Sequence, residues 1–206
     1  MAASEKLDLY KQHKAEYVQA KKPTLVPVGS VPYLAIDGQG DPGSEEFQAC
    51  VGALYGMAFT IKMTRKFAGL GDYKVCHLEG WYGHSKKYAC LTEVPRAEWL
   101  WTLAIRVPEF IASADLAAAC RTLLAKGKGE AVKRVRLETI DEGLCVQMLH
   151  VGPYAAEPET IARMAEFVTA EGLTFHGRHH EIYISDPRRV KPEKLKTILR
   201  FPVRRK

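Results

Sequence analysis

The chain has 206 residues, a net charge of +6, 47% hydrophobic and 26% charged residues, the profile of a soluble globular protein large enough to bury a core in one domain. No apolar run approaches the ~18–20 residues that span a bilayer, and the opening "MAASEKLDLYKQHKAEY" lacks the apolar stretch of a signal peptide, so a cytoplasmic location with no membrane partner is expected. The positive charge excludes an acidic mimic of DNA.

The first ~22 residues read as a charged helix or arm ending at "KKPTL". A short apolar strand and a Gly/Asp/Pro turn follow in "VPYLAIDGQGDPGSEEF". Ser44 is placed to cap a helix over 45–64, with Glu45 and Glu46 in its first turn. Phe47, Val51, Leu54, Ala58 and Ile61 recur there at helical spacing. Strands are expected over 73–83 and 99–110, then a helix over 113–126 capped by Ser113. The second half repeats the plan: a strand over 145–154, a helix over 157–172 with Pro158 near its start and Gly172 at its end, then "LTFHGR" and "HHEIYISDP" as short strands. "LAIRVP" parallels "IYISDP", each placing an Ile three residues before a Pro.

The fold class expected is therefore α+β: a duplicated, pseudo-twofold βαββ unit forming a curved antiparallel sheet. Repeat one spans about 31–110, a connecting helical segment 111–136, and repeat two 137–203, all within one domain over 1–206. Each half covers one face of its sheet with a helix. The helices are expected on one side and a ligand groove on the other.

Strand alternation then assigns side chains. In 180–185, Ile182 and Ile184 share a face with His180, while Glu181, Tyr183 and Ser185 share the other. The isoleucines are expected under the helices, leaving Glu181 and Tyr183 in the groove. Glu79 and Trp81 are assigned to the same groove, and Tyr154 after Gly152-Pro153 to its end. A carboxylate ringed by aromatic faces is a receptor for cations. Partly buried, it is also a competent base near neutral pH. The plainer alternatives are a solvent-exposed strand Glu181, a lysine salt bridge for Glu79, a core Trp81 and a turn-packing Tyr154.

Metal and cofactor are not expected. His179 and His180, with His176 nearby, are adjacent strand residues pointing to opposite faces. Cys50, Cys76, Cys90, Cys120 and Cys145 form no C-x-x-C pair and suit reduced thiols. "GQGDPG" lacks the phosphate-loop lysine. The basic clusters "AKGKGEAVKRVR" and "KTILRFPVRRK" lack interleaved aromatics and read as solvated surface, with no nucleic-acid partner.

"YLAIDGQGDP", "ALYGMAFTIKM", "YKVCHLEGWYG", "HVGPYAAEPETIARM" and, most specifically, "HHEIYISDPRRVKPEKLKTILRFPV" resemble the GyrI-like small-molecule-binding domain family, in its stand-alone form without a DNA-binding module. The resemblance implies a central groove for lipophilic, aromatic, often cationic small molecules. Glu181 would face the ligand with Tyr183 beside it. It also implies an alternative: hydrolysis of cyclopropane-bearing, DNA-alkylating compounds for detoxification. There Glu181 would act as general base, Tyr183 would hydrogen-bond the substrate carbonyl, and Trp81 would stack on the ligand. A third possibility, by analogy with the gyrase-inhibitory founder of the family, is a protein-interaction module.

Overall fold

The computed structural model describes residues 6–84 and 94–206; Cys90 lies outside them. The described residues form seven strands and four α-helices. They are α1 (Leu9–Gln12), β1 (Thr24–Gln39), α2 (Glu45–Phe67), β2 (Leu78–Gly83), β3 (Leu100–Arg106), α3 (Ser113–Ala125), β4 (Arg136–Val151), α4 (Glu157–Ala170), β5 (Leu173–Phe175), β6 (His179–Tyr183) and β7 (Lys196–Arg205). The strand order is β4-β1-β3-β2-β6-β7, and β7 pairs back onto β4. The antiparallel sheet thus closes into a six-stranded barrel, with β5 added at the far end of β7. Closure leaves these six strands no free edge.

The barrel changes two expectations. The tail read as a solvated basic cluster is a barrel strand: Ile198, Leu199, Arg200 and Val203 of β7 are buried. Within each half, β1–β3–β2 corresponds by pairing to β4–β7–β6. The strand matching β3 by position is therefore β7, and the likeness of "LAIRVP" to "IYISDP" joins strands that occupy different places. The strand expected at 73–83 is shortened to β2, and those expected near 31 and 145 are extended to sixteen residues each as β1 and β4. The two long strands pair along Thr24–Ala35 and Arg136–Gln147, with a break at Gly29 and Glu142, a ladder that sustains strands longer than their apolar cores suggest.

Local chemistry accounts for the helix starts. The Ser44 hydroxyl accepts from the Phe47 N–H at 3.2 Å, as its position predicts. Ser113 does not cap α3. It is the first helical residue, and the Asp115 carboxylate accepts from the Ala112 N–H at 2.9 Å instead.

Two cores result. Outside the barrel, Leu34, Ile36, Leu103 and Ile105 pack under α2 and α3. Met148, Leu199 and Val203 pack under Met164 and Val168 of α4. Inside, Val26, Val28, Val31, Tyr33, Ala35, Trp81, Ala104 and Cys145 form a second core. Ile182 is also inside, with Leu149 and Ile198; it does not face the helices. β4 sends both Glu142 and Cys145 inward, which strict alternation forbids. Gly143, at φ +68°, breaks the alternation in a conformation that a side chain resists. The N-terminal arm closes one end of the barrel, with Glu16 paired to Arg106 and the Glu16 carbonyl accepting from Arg200.

No helix among the described residues is long and apolar enough to cross a membrane.

Candidate functional site

A cleft of about 390 Å³ opens on the outer face of the barrel between α2 and the start of α4. This is the helix side of the sheet, opposite to the side expected. Closing the sheet fills its concave face with side chains, and this cleft lies on the convex face, where the helices stand apart. α2 contributes Phe47, Val51 and Tyr55; β2 contributes Leu78 and Tyr82; β6 contributes Glu181 and Tyr183. Trp99, Tyr154 and Glu157 stand in the walls, and Arg96, Asp186 and Arg188 add charged side chains to the lining.

Glu181 sits on the floor, buried, directly across the β2–β6 ladder from Gly80. Glycine matters at that register position. A Cβ on Gly80 would come within 3.1 Å of the Tyr82 ring, so a side chain there would make Tyr82 give by a few tenths of an ångström. The Tyr82 and Tyr183 hydroxyls lie 2.5 Å apart. Burial, and next the charge of Glu181, push both phenols up, so they enter any reaction as neutral hydrogen-bonding groups. The Tyr154 ring stands edge-on to that of Tyr183 at the mouth, with centroids 6.1 Å apart. Of the residues predicted for the groove, the structure brings together Glu181, Tyr183 and Tyr154.

Glu79 and Trp81 are not with them. Both point into the barrel. Glu79 accepts from the hydroxyls of Tyr33 (3.0 Å) and Tyr17 (3.2 Å) and lies 3.1 Å from His180 Nε2. Trp81 donates its indole N–H to Glu142 at 3.0 Å and stacks on the His180 ring at 3.9 Å between centroids. Alternation along β2 is regular, but the face carrying Glu79 and Trp81 is the inner one. His180 Nδ1 meets Glu142 at 2.9 Å, and Arg200 reaches the same carboxylate. Burial pushes Glu142 up, but His180 and Arg200 outweigh it and hold the group down at about 2. Burial would lower His180; the Glu142 charge and the bonds to Glu142 and Glu79 raise it. The interior is an ion network in which each carboxylate has cationic or hydroxyl partners.

The cleft holds a second acid absent from the predicted set, Glu157. It is the first residue of α4, and its position in the sequence signals only a helix start with Pro158 behind it. It is 7% exposed, and its Oε1 is buried with no hydrogen-bond partner. The donor atoms of Glu157, His179 and Glu181 lie within 4.8 Å of one another. His179 Nε2 is 3.0 Å from Glu181 Oε1, and the rings of His179 and His180 face opposite sides of the sheet. Burial, followed by the charge of Glu181, pushes Glu157 up to about 9. The trio is the one convergent His/Cys/Asp/Glu group found among the described residues. It is a poor fit to a cation: His179 Nδ1 is buried without an acceptor to fix the ring.

The family model of the GyrI-like small molecule binding domain matches residues 21–204, and the chain belongs to that family. Its structure is similar to an uncharacterized conserved protein from Listeria innocua at 40% identity, covering 97% of this chain and all of that one, with a TM-score of 0.90. A hydrolase from Listeria innocua matches at 39% identity over the same shares, with a TM-score of 0.88. The C-terminal domain of EcmrR shares the fold at 14% identity, over 90% of this chain and 98% of that one, with a TM-score of 0.59. No curated protein matches the chain.

Proposed function

We propose that the protein binds a flat, lipophilic small molecule in this cleft and hydrolyses it, adding water to a cyclopropane-bearing, DNA-alkylating electrophile. One observation carries the reading: Glu181 is buried at the floor of an aromatic cleft, 3.0 Å from His179 and beside two phenols, and among the described residues no lysine or arginine forms an ion pair with it. A carboxylate so placed has a task other than stability. The Listeria innocua hydrolase at 39% identity supports water addition over storage. We read the two βαββ halves as a duplication whose halves meet at β1–β4 and β2–β6.

In this mechanism Glu181 takes a proton from a water held on the cleft floor. The water oxygen bonds to a carbon of the strained ring as the ring opens. The Tyr82–Tyr183 pair supplies a hydroxyl hydrogen bond to the carbonyl that gains negative charge, an arrangement strengthened by the water-poor surroundings. Tyr154 and Trp99 cover the flat body of the ligand. No covalent intermediate is needed.

A second reading, sequestration of lipophilic cations without turnover, draws on the same carboxylate and rings, with cation–π attraction of ~0.5–2 kcal/mol per ring. Incubation with a cyclopropane-bearing alkylator, followed by mass spectrometry, separates the two. Hydrolysis gives a water adduct in many-fold excess over protein, absent with Glu181→Gln. Recovery of intact compound that nonetheless saturates the cleft would reject hydrolysis of this class and favour sequestration.

A further inference from the structure

With Glu181 accepting a proton from water, the oxygen of the opened product still needs a proton of its own. Glu157 answers that need by position. It faces the cleft from α4 while Glu181 faces it from β6, with donor atoms within 4.8 Å. Its Oε1 has no partner, although nearly all of the residue is out of contact with solvent. A buried carboxylate without a partner is costly, so the uncharged acid is the form such a site tolerates. The start of a helix would favour the anion. Burial and the neighbouring negative charge act against that and prevail. The titratable groups near it are His179, Glu181 and Tyr183 from β6, Tyr82 from β2 and Tyr154 from the turn before α4, and the cleft lining also carries Arg96, Asp186 and Arg188. No lysine or arginine among the described residues forms an ion pair with Glu157.

We propose that Glu157 is the proton-donating partner of Glu181, entering the reaction as a neutral acid. Water gives a proton to Glu181 and its oxygen bonds to the ring carbon. The carbon–carbon bond breaks, and its electron pair moves through the conjugated system to the carbonyl oxygen. Glu157 delivers its proton to that oxygen. The proton held on Glu181 then crosses to Glu157, restoring both groups. The net change is one water added, and the two carboxyl groups act as a relay that needs no exchange with solvent during the step.

This rests on the hydrolytic reading, and two measurements keep their failures apart. The first is a carboxyl carbon NMR titration of protein labelled at glutamate. One resonance should titrate well above the ordinary glutamate range. It should vanish in Glu157→Gln and move to lower pH in Glu181→Gln. The second is turnover of a cyclopropane-bearing probe. Glu157→Gln should lower kcat by ~10²–10⁴-fold with KM nearly unchanged, and Glu157→Asp should recover part of the loss. Turnover without the high-pH resonance, or full kcat in Glu157→Gln, overturns the role of Glu157 and leaves hydrolysis standing. The resonance without any turnover by the wild type overturns hydrolysis and the catalytic role together. A rate that depends on an added divalent cation and is lost with a chelator overturns the relay in favour of metal-activated water.

Discussion

The inside and the outside of the barrel both bury a pair of glutamates, and they treat them in opposite ways. Inside, Glu79 and Glu142 share His180, Arg200, Tyr17, Tyr33 and the Trp81 indole, so each oxygen has a partner. Outside, Glu181 has His179, and Glu157 has an orphan oxygen. Burial is similar in the two places, so burial does not distinguish structure from function here. The distinguishing property is whether the charges are answered. A satisfied network holds one conformation, whereas an unanswered acid in a cleft keeps its free energy available for a ligand or a proton.

The largest expected effect tests the outer pair. Glu181→Gln keeps shape and removes the base, so turnover of the probe should fall by ~10²–10⁴-fold while the denaturation midpoint stays within the wild-type range or rises. A fall in stability equal to the loss of activity would mean that the outer pair is structural, like the inner one. Next in size is a change inside. Arg200→Met leaves Glu142 with one cation fewer in a closed interior, and removing one partner of a buried ion network costs about 3–5 kcal/mol. Urea denaturation measures it. Ligand affinity in the cleft should change little in the fraction that remains folded.

The pH dependence of stability sharpens the same comparison. Glu142 is held at about 2 in the fold against an ordinary 4.5. A lowered carboxyl stabilises the fold above its ordinary value and loses that contribution as pH falls toward the folded value. His180 is raised above its ordinary 6.5, so its contribution is complete below that value and is lost as pH rises through the raised one. Glu157 is raised as well. A raised acid opposes folding above its ordinary value, increasingly until its folded value is passed. Stability should therefore be greatest in mildly acidic solution and decline on both sides. In Glu157→Gln the alkaline decline should be shallower, and in His180→Gln the His180 part of it should be missing. Denaturation midpoints across pH read all three.

The physical limits of the sequence are visible in particular residues. Period-two alternation put Glu181 with Tyr183 on one face and His180 with Ile182 on the other, and the structure has that division. It could not say which face is the interior, because that follows from β7 closing onto β4, a pairing between segments far apart in the chain. Glu79 and Trp81 were misassigned for that reason: β2 carries aromatic side chains on both faces, and only closure decides between them. Arg200 was hidden by its neighbours, since "VRRK" makes the tail look solvated while "TILRFPV" builds a strand buried on both faces. Glu157 was hidden by grammar. An acid in the first turn of a helix reads as a partner of the helix dipole, and only the approach of α4 to β6 gives it another role.

The smallest effect divides two aromatic residues that sequence reasoning put in one groove. Trp81→Phe removes the indole N–H that donates to Glu142 and keeps most of the ring's contact with His180 and Tyr33. His180 and Arg200 still hold Glu142 Oε2, but Oε1 loses its partner, so the cost should be about 1–3 kcal/mol, seen as a lower denaturation midpoint. Tyr154→Ala acts at the cleft mouth, where the ring is exposed on one side. It should leave the midpoint almost unmoved and weaken a flat aromatic ligand by up to ~10-fold, the worth of one aromatic contact at ~0.5–1.5 kcal/mol. Fluorescence titration of the two variants measures both. The reverse pattern, with affinity lost on Trp81→Phe and kept on Tyr154→Ala, would move the ligand from the outer cleft into the barrel, and the charged network there would become the site.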